Sequence, residues 1–83
     1  MHISNIITVV KRLTNYNANM IKNSKKCFCY MCRAKFLPEE IKETDKYNTA
    51  YCPICDYKSI IPDAGLYLAK VDSEWVDSNL HLF

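Results

Sequence analysis

Cys29-Tyr30-Met31-Cys32 and Cys52-Pro53-Ile54-Cys55 are the residues of this chain whose type and spacing carry chemistry. Nineteen residues separate the two pairs, and a C-x2-C…C-x2-C arrangement at this separation reads as a structural zinc site. Two cysteines with two residues between them, on a tight turn, point both sulfurs at one ion. The same turn aims backbone N–H groups at the thiolates. A second such turn closes a tetrahedron with Zn–S bonds of about 2.3 Å. Four cysteines fill the coordination sphere, so no position is left for water and no hydrolytic chemistry is expected. One structural Zn²⁺ held this way contributes on the order of 10–16 kcal/mol, several times the margin of so small a core. A redox role for either C-x-x-C lacks the βαβ context that a thioredoxin-like motif needs.

The fifth cysteine, Cys27, is left over. Three readings stand open: a ligand in place of Cys29 in a C-x4-C register, a free thiol toward a partner, or a small hydrophobe packed beside the site. Zinc knuckles often place glycine just after the second cysteine, where the backbone turns left-handed. Arg33 and Asp56 occupy those places here, and arginine takes that conformation less readily than aspartate. His2 and His81 stand near opposite termini and are expected to be solvated or packing residues. They offer no Ser–His–Asp or Cys–His constellation. The single glycine, Gly65, excludes Gly-rich phosphate loops. No catalytic residue and no small-molecule substrate are expected.

These cysteines sit in 83 residues, enough for one small domain whose core is marginal without a staple. A hydrophobic fraction of 49% excludes a disordered tail. The net charge of +2 hides an asymmetry. Seven cations and no acid lie between Met1 and Lys35, whereas nine acids face four lysines from Phe36 onward. Such a split suggests an electrostatic partner surface or attraction between the two halves. The longest uncharged apolar stretch, Met1–Val10, is too short to span a membrane, and Lys11 and Arg12 follow it rather than precede it, unlike a secretory signal. The expected compartment is the cytoplasm, where cysteine clusters are more often metal sites than disulfides.

The elements that position the cysteines follow from periodicity. Ile3, Ile6, Ile7, Val10 and Leu13 predict a helix over about 4–13 with Ser4 as its N-cap, although the run Ile6–Val10 fits a strand almost as well. Asn15, Asn17 and Asn19 then loosen the pattern, and Asn23–Lys26 reads as a polar linker. Leu37–Lys42 predicts one helical turn with Pro38 at its start. Tyr47–Tyr51 and Lys58–Ile61 have strand composition, Pro62–Gly65 reads as a turn, and Leu66–Ala69 as a short extended piece. Asp72 or Ser73 caps a last helix carrying Trp75, Val76, Leu80 and Phe83 on its apolar positions. Residues 1–26 form an N-terminal basic extension, helix plus linker, and residues 27–83 the metal-bound domain.

The stretch from Cys29 to Phe83 resembles the zinc-ribbon superfamily, and among its members small uncharacterised cytoplasmic proteins of bacteria and phages. The resemblance rests on Cys29, Cys32, Thr49, Ala50, Cys52, Pro53, Cys55, Ile60, Ile61, Asp63, Gly65 and Phe83. It implies a small metal-stabilised α+β fold: two knuckles on short antiparallel strands with a C-terminal helix, to which the N-terminal helix is added. Fold does not decide function here, because zinc ribbons serve as nucleic-acid readers, clamps and docking modules alike. The first expectation is a non-catalytic protein-interaction module, an inhibitor or accessory protein of a phage or mobile element. Its aromatics, Tyr47, Tyr51, Tyr57, Tyr67 and Trp75, are of the kind favoured in interface cores. The alternative is nucleic-acid binding through the basic half, where Lys22, Lys25, Lys26, Arg33 and Lys35 surround Phe28 and Tyr30.

Overall fold

A computed structural model describes residues 3–83 of the chain. Its centre is β1 (Cys27–Cys29), paired antiparallel with β2 (Lys35–Phe36) on one side and with β3 (Ile60–Pro62) on the other, in the order β2-β1-β3. Helix α1 (Ile3–Arg12) and the short helix α2 (Ala18–Lys22) precede the sheet, while α3 (Asp63–Leu68) and α4 (Ser73–Ser78) follow it. Single 3₁₀ turns form at Pro38–Glu40 and Leu80–Leu82. The class is α+β with a three-stranded antiparallel sheet.

Strand alternation sorts the core into two halves. Successive side chains of β1 point to opposite faces. Phe28 faces Ile61 across the β1–β3 pair, and around these two gather Val10 of α1, Leu66 of α3, and Val76 and Leu80 of the C-terminal helical region. On the other face Cys27 and Cys29 pack with Ile60, Phe36, Ala50, Cys52 and Ile21 of α2. All three residues of β1 and of β3 are buried, so this sheet is covered on both faces. One layer is helical and the other is the cysteine-bearing loop region. The N-terminal residues 3–26 therefore supply Val10 and Ile21 to the same two cores that the sheet divides. An ion pair between Lys35 Nζ of β2 and an Asp77 carboxylate oxygen, 2.7 Å, ties the sheet edge to α4.

Several sequence expectations hold. The first helix is present within one residue of its predicted span, with Ser4 inside its first turn rather than capping it. Glu40 takes the N–H of Leu37 at 2.6 Å and closes the turn at Pro38. The Asp72 carboxylate caps α4 by accepting the N–H of Glu74 at 3.1 Å. His81 is exposed in the last 3₁₀ turn, and His2 lies outside the described residues.

Others are overturned. Leu66–Ala69 is not extended: residues 63–68 are helical, and the predicted turn at Pro62–Gly65 is the junction where β3 runs directly into α3. The reason is tertiary, because the backbone of Gly65 lies against Leu13 and Met20. A Cβ there would stand 3.1 Å from Leu13 Cδ2 and from Met20 Sδ, so the only glycine sits where α3 packs closely on the N-terminal segment. The asparagine-rich stretch carries α2, whose Ile21 enters the core. Tyr47–Tyr51 is not a strand. Its one ladder-type pairing is an isolated antiparallel bridge between Thr44 and Ala50.

Asn17 explains that last difference. Its side chain is fully buried. Nδ2 donates to the carbonyl of Ile60 at 2.9 Å, and Oδ1 accepts the N–H of Ala50 at 3.1 Å. One side-chain amide thus takes the place of a strand–strand ladder, satisfying the open edge of β3 and the segment that leads into Cys52. Buried backbone polar groups need such partners.

Candidate metal centre

The two halves of the site come from different local structures. The first C-x2-C is the turn of the β1–β2 hairpin: Cys29 ends β1, and the N–H of Cys32 reaches back to Cys29 Sγ at 3.4 Å. The second is a tight loop closed by the N–H of Cys52 donating to the carbonyl of Tyr57 at 2.8 Å. Within it, Cys52 Sγ accepts the N–H groups of Ile54 at 3.4 Å and Cys55 at 3.5 Å. Both knuckles turn through a left-handed residue at the expected place, Arg33 at φ 62° and Asp56 at φ 67°. Arginine is the costlier occupant, since its Cβ opposes this conformation.

The four sulfurs of Cys29, Cys32, Cys52 and Cys55 all lie within 4.8 Å of one another. Cys29 Sγ is 3.5 Å from Cys55 Sγ, and Cys32 Sγ is 3.7 Å from Cys52 Sγ. A tetrahedron with metal–sulfur bonds of about 2.3 Å has edges of about 3.8 Å. The sulfurs are therefore already spaced to hold a metal ion, with Cys29 and Cys52 buried and Cys32 and Cys55 nearer the surface.

Cys27 is outside the cluster for a geometrical reason. It lies on the same face of β1 as Cys29 but one strand repeat away, about 6.6–6.8 Å along the chain. There it packs opposite Phe36 and Pro62, fully buried. Burial, and then the nearby Asp63 carboxylate, pushes its thiol up to about 12, so it remains a neutral packing group. Of the three readings open from the sequence, the buried hydrophobe is the one realised.

Ser59 is a contributor that the sequence motif does not contain. It is buried immediately before β3, with Oγ 2.9 Å from Cys29 Sγ. Burial opposes ionisation of Cys29, yet the N–H of Cys32, the Ser59 hydroxyl, the Cys32 thiol and the N–H of Met31 outweigh it and bring the thiol down to about 7. The cue in the sequence was a lone small polar residue abutting an apolar run, Ser59-Ile60-Ile61. Ser59→Ala removes the hydroxyl that holds Cys29 Sγ. We expect its metal affinity, measured by chelator competition, to fall about 10- to 100-fold with the fold retained at saturating metal.

The basic patch expected around Phe28 and Tyr30 has a different composition in three dimensions. Phe28 is fully buried, with Lys26 Nζ 5.5 Å from its ring centroid. Tyr30 is half-buried, and Lys11 Nζ stands 5.4 Å from its ring centroid. Lys22, Lys25, Lys26, Arg33 and Lys35 are exposed, but Lys35 is engaged by Asp77. The aromatic interleaving read from the sequence is thus mostly core. No family model, curated protein or solved structure compared with the chain matches it. No helix among the described residues is long and apolar enough to cross a membrane.

Proposed function

We propose that this chain is a non-catalytic zinc ribbon, in which Cys29, Cys32, Cys52 and Cys55 hold one structural Zn²⁺ as four thiolates. The observation that carries the reading is the sulfur constellation, whose edges of 3.5 and 3.7 Å suit tetrahedral zinc. An all-sulfur donor set favours Zn²⁺ over hard cations such as Mg²⁺ or Ca²⁺. With four protein ligands the sphere is closed, so the ion fastens the β1–β2 hairpin to the loop after Ala50 and leaves the working surface to other residues. Native mass spectrometry of the protein is expected to show one zinc per chain. A folded chain that takes up no zinc would overturn the reading.

A module of this kind acts by binding a macromolecule in the cytoplasm. The first reading is a protein partner, as for an accessory or inhibitor protein of a phage or mobile element. Supporting it are the exposed apolar residues Tyr67 and Leu68 on α3, and Met31 and Ile54 at the tips of the two knuckles. The thiolate–zinc site adds a charge of −2, which brings the metallated chain to zero net charge and disfavours a general polyanion binder. Crosslinking and affinity purification that recover no stoichiometric protein partner would count against it. The second reading, nucleic acid, is favoured by one specific observation away from the original patch: exposed tyrosines gathered with lysines around the loop 45–49.

A further inference from the structure

Tyr16 is the feature that the fold by itself does not require. It has φ 51°, the left-handed region, where a bulky residue is an outlier. The turn after α1 needs this backbone, but glycine or asparagine would supply it at less cost. The cost is not repaid by burial, because Tyr16 is 71% exposed. Its ring meets that of Tyr47, itself 57% exposed, edge to face at 6.4 Å and 84°. Strained, exposed residues held rigidly are where function is sought.

The rigidity is specific. Asp45 Oδ1 accepts the N–H groups of Tyr47 at 2.8 Å and Thr49 at 2.9 Å, while its Oδ2 pairs with Lys58 Nζ at 2.8 Å. The Asp45 N–H donates to the carbonyl of Thr49, and the N–H of Asn48 returns to the carbonyl of Asp45. The two tyrosines are locked together from below: the Tyr16 N–H donates to Thr49 Oγ1 at 2.9 Å, and the Ala18 N–H to the carbonyl of Asn48 at 3.0 Å. Cations complete the surface. Lys46 Nζ stands 5.1 Å from the Tyr47 ring centroid, and Lys58 Nζ stands 5.6 Å from that of Tyr51. Among the described residues the ion pairs are Lys35–Asp77 and Lys58–Asp45, so Lys46 keeps its charge free, as does exposed Arg12 just upstream of Tyr16.

We propose that Tyr16 and Tyr47, with the free ammonium of Lys46 beside them, form a stacking platform for single-stranded nucleic acid. The inference rests on the nucleic-acid reading above and places it on a surface the basic sequence run did not mark. A base has a π-face that stacks on tyrosine whatever its identity, and the phosphate beside it takes the free ammonium. The side chains that define the platform are two tyrosines and a free lysine with no aliphatic among them, which suits stacking and charge better than a greasy protein anchor. Duplex DNA hides its base faces and is expected to bind less well.

The test uses the full zinc-loaded chain and a short fluorescein-labelled, mixed-sequence DNA single strand, followed by fluorescence anisotropy at low salt. Saturable binding that weakens as salt is added is expected. Tyr47→Ala and Tyr16→Gly should each weaken it about 5- to 150-fold. Tyr16→Gly relieves the left-handed strain, so its melting temperature should be no lower than that of the parent chain, a result that separates loss of binding from loss of fold. Undiminished oligonucleotide affinity in both variants would overturn the platform and leave the nucleic-acid reading standing. Absence of any single-strand binding, or tighter binding of the duplex, would overturn the platform; the former would remove that reading as well. Tyrosine-dependent capture of a proline-rich peptide in place of the oligonucleotide would overturn the inference in favour of a protein ligand. None of these outcomes touches the zinc assignment, which native mass spectrometry checks independently.

Discussion

Stripping the proposed zinc from the protein with a high-affinity chelator is expected to abolish its cooperative thermal transition. The near-UV signal of Trp75, which packs edge to face on Phe83 at 6.3 Å, should go with it. In the proposed site the ion would fasten the hairpin turn at Cys29–Cys32 to the loop at Cys52–Cys55, whose sulfurs lie within 4.8 Å of one another. Zinc sites of this type contribute on the order of 10–16 kcal/mol. Whole-domain stabilities are only about 5–15 kcal/mol, and a chain of 83 residues stands at the lower end. Cys52→Ser should reproduce the effect, because Cys52 is buried and its sulfur also receives the N–H groups of Ile54 and Cys55. An unchanged melt after chelation would sink the structural role of the metal.

The same site should loosen as pH falls, and the sign follows from its thiols. Without a cation, burial and then hydrogen bonding to its neighbouring cysteines push Cys32 up to about 12, against one opposing backbone N–H. Burial also raises Cys52. Cys29, drawn down to about 7, is the first to ionise. At neutral pH the metal-free site therefore still holds protons on Cys32 and Cys52, and the ion must displace them. Raising the pH helps the ion, and lowering it returns protons to the sulfurs. Chelator competition across a pH series is expected to show metal affinity falling steadily on the acid side.

Asn17→Leu is the largest effect expected from a residue outside the metal site. The apolar side chain has the same branching but a larger volume, so lost hydrogen bonding and overpacking of a fully buried site both destabilise. It leaves the carbonyl of Ile60 and the N–H of Ala50 buried without partners. Each such group costs about 1–3 kcal/mol, giving a destabilisation of about 2–6 kcal/mol. At about 4–8 °C per kcal/mol for domains of this size, the metal-loaded variant should melt at least about 8 °C lower. Asn15→Ala and Asn19→Ala alter exposed neighbours and should stay within about 0.5 kcal/mol of the parent chain. Equal melting of all three variants would show that the Asn17 bridge carries no weight.

Asn17 also marks where sequence reading stops. In the sequence it is one of three asparagines at alternate positions, indistinguishable from Asn15 and Asn19. Nothing local tells which will be carried inward, because the groups it satisfies lie 33 and 43 residues away. The extended reading of Leu66–Ala69 failed for a related reason. Short helices such as α3 draw their stability from packing, here of Gly65 against Leu13 and Met20, and not from propensity. Phe28 was placed on a basic surface because lysines neighbour it in sequence. Strand alternation instead turned it into the core opposite Ile61.

What the sequence determined unaided was whatever depends on spacing within a few residues. Its two C-x2-C pairs form knuckles, with Arg33 and Asp56 at the left-handed positions that follow them. α1 and α4 arise where apolar residues recur at helical intervals, and Asp72 caps the latter. The C-x2-C spacing already singled out Cys29, Cys32, Cys52 and Cys55, and tertiary structure closed the remaining choice between Cys27 and Cys29. On β1, a strand repeat carries Cys27 beyond reach of the sulfurs that Cys29 joins. It also decided that Ser59 touches Cys29, that Asn17 stands in for a strand, and that Tyr16 and Tyr47 share one exposed face. Those choices rest on hydrogen bonds and packing between segments tens of residues apart, whose free energy no local pattern contains.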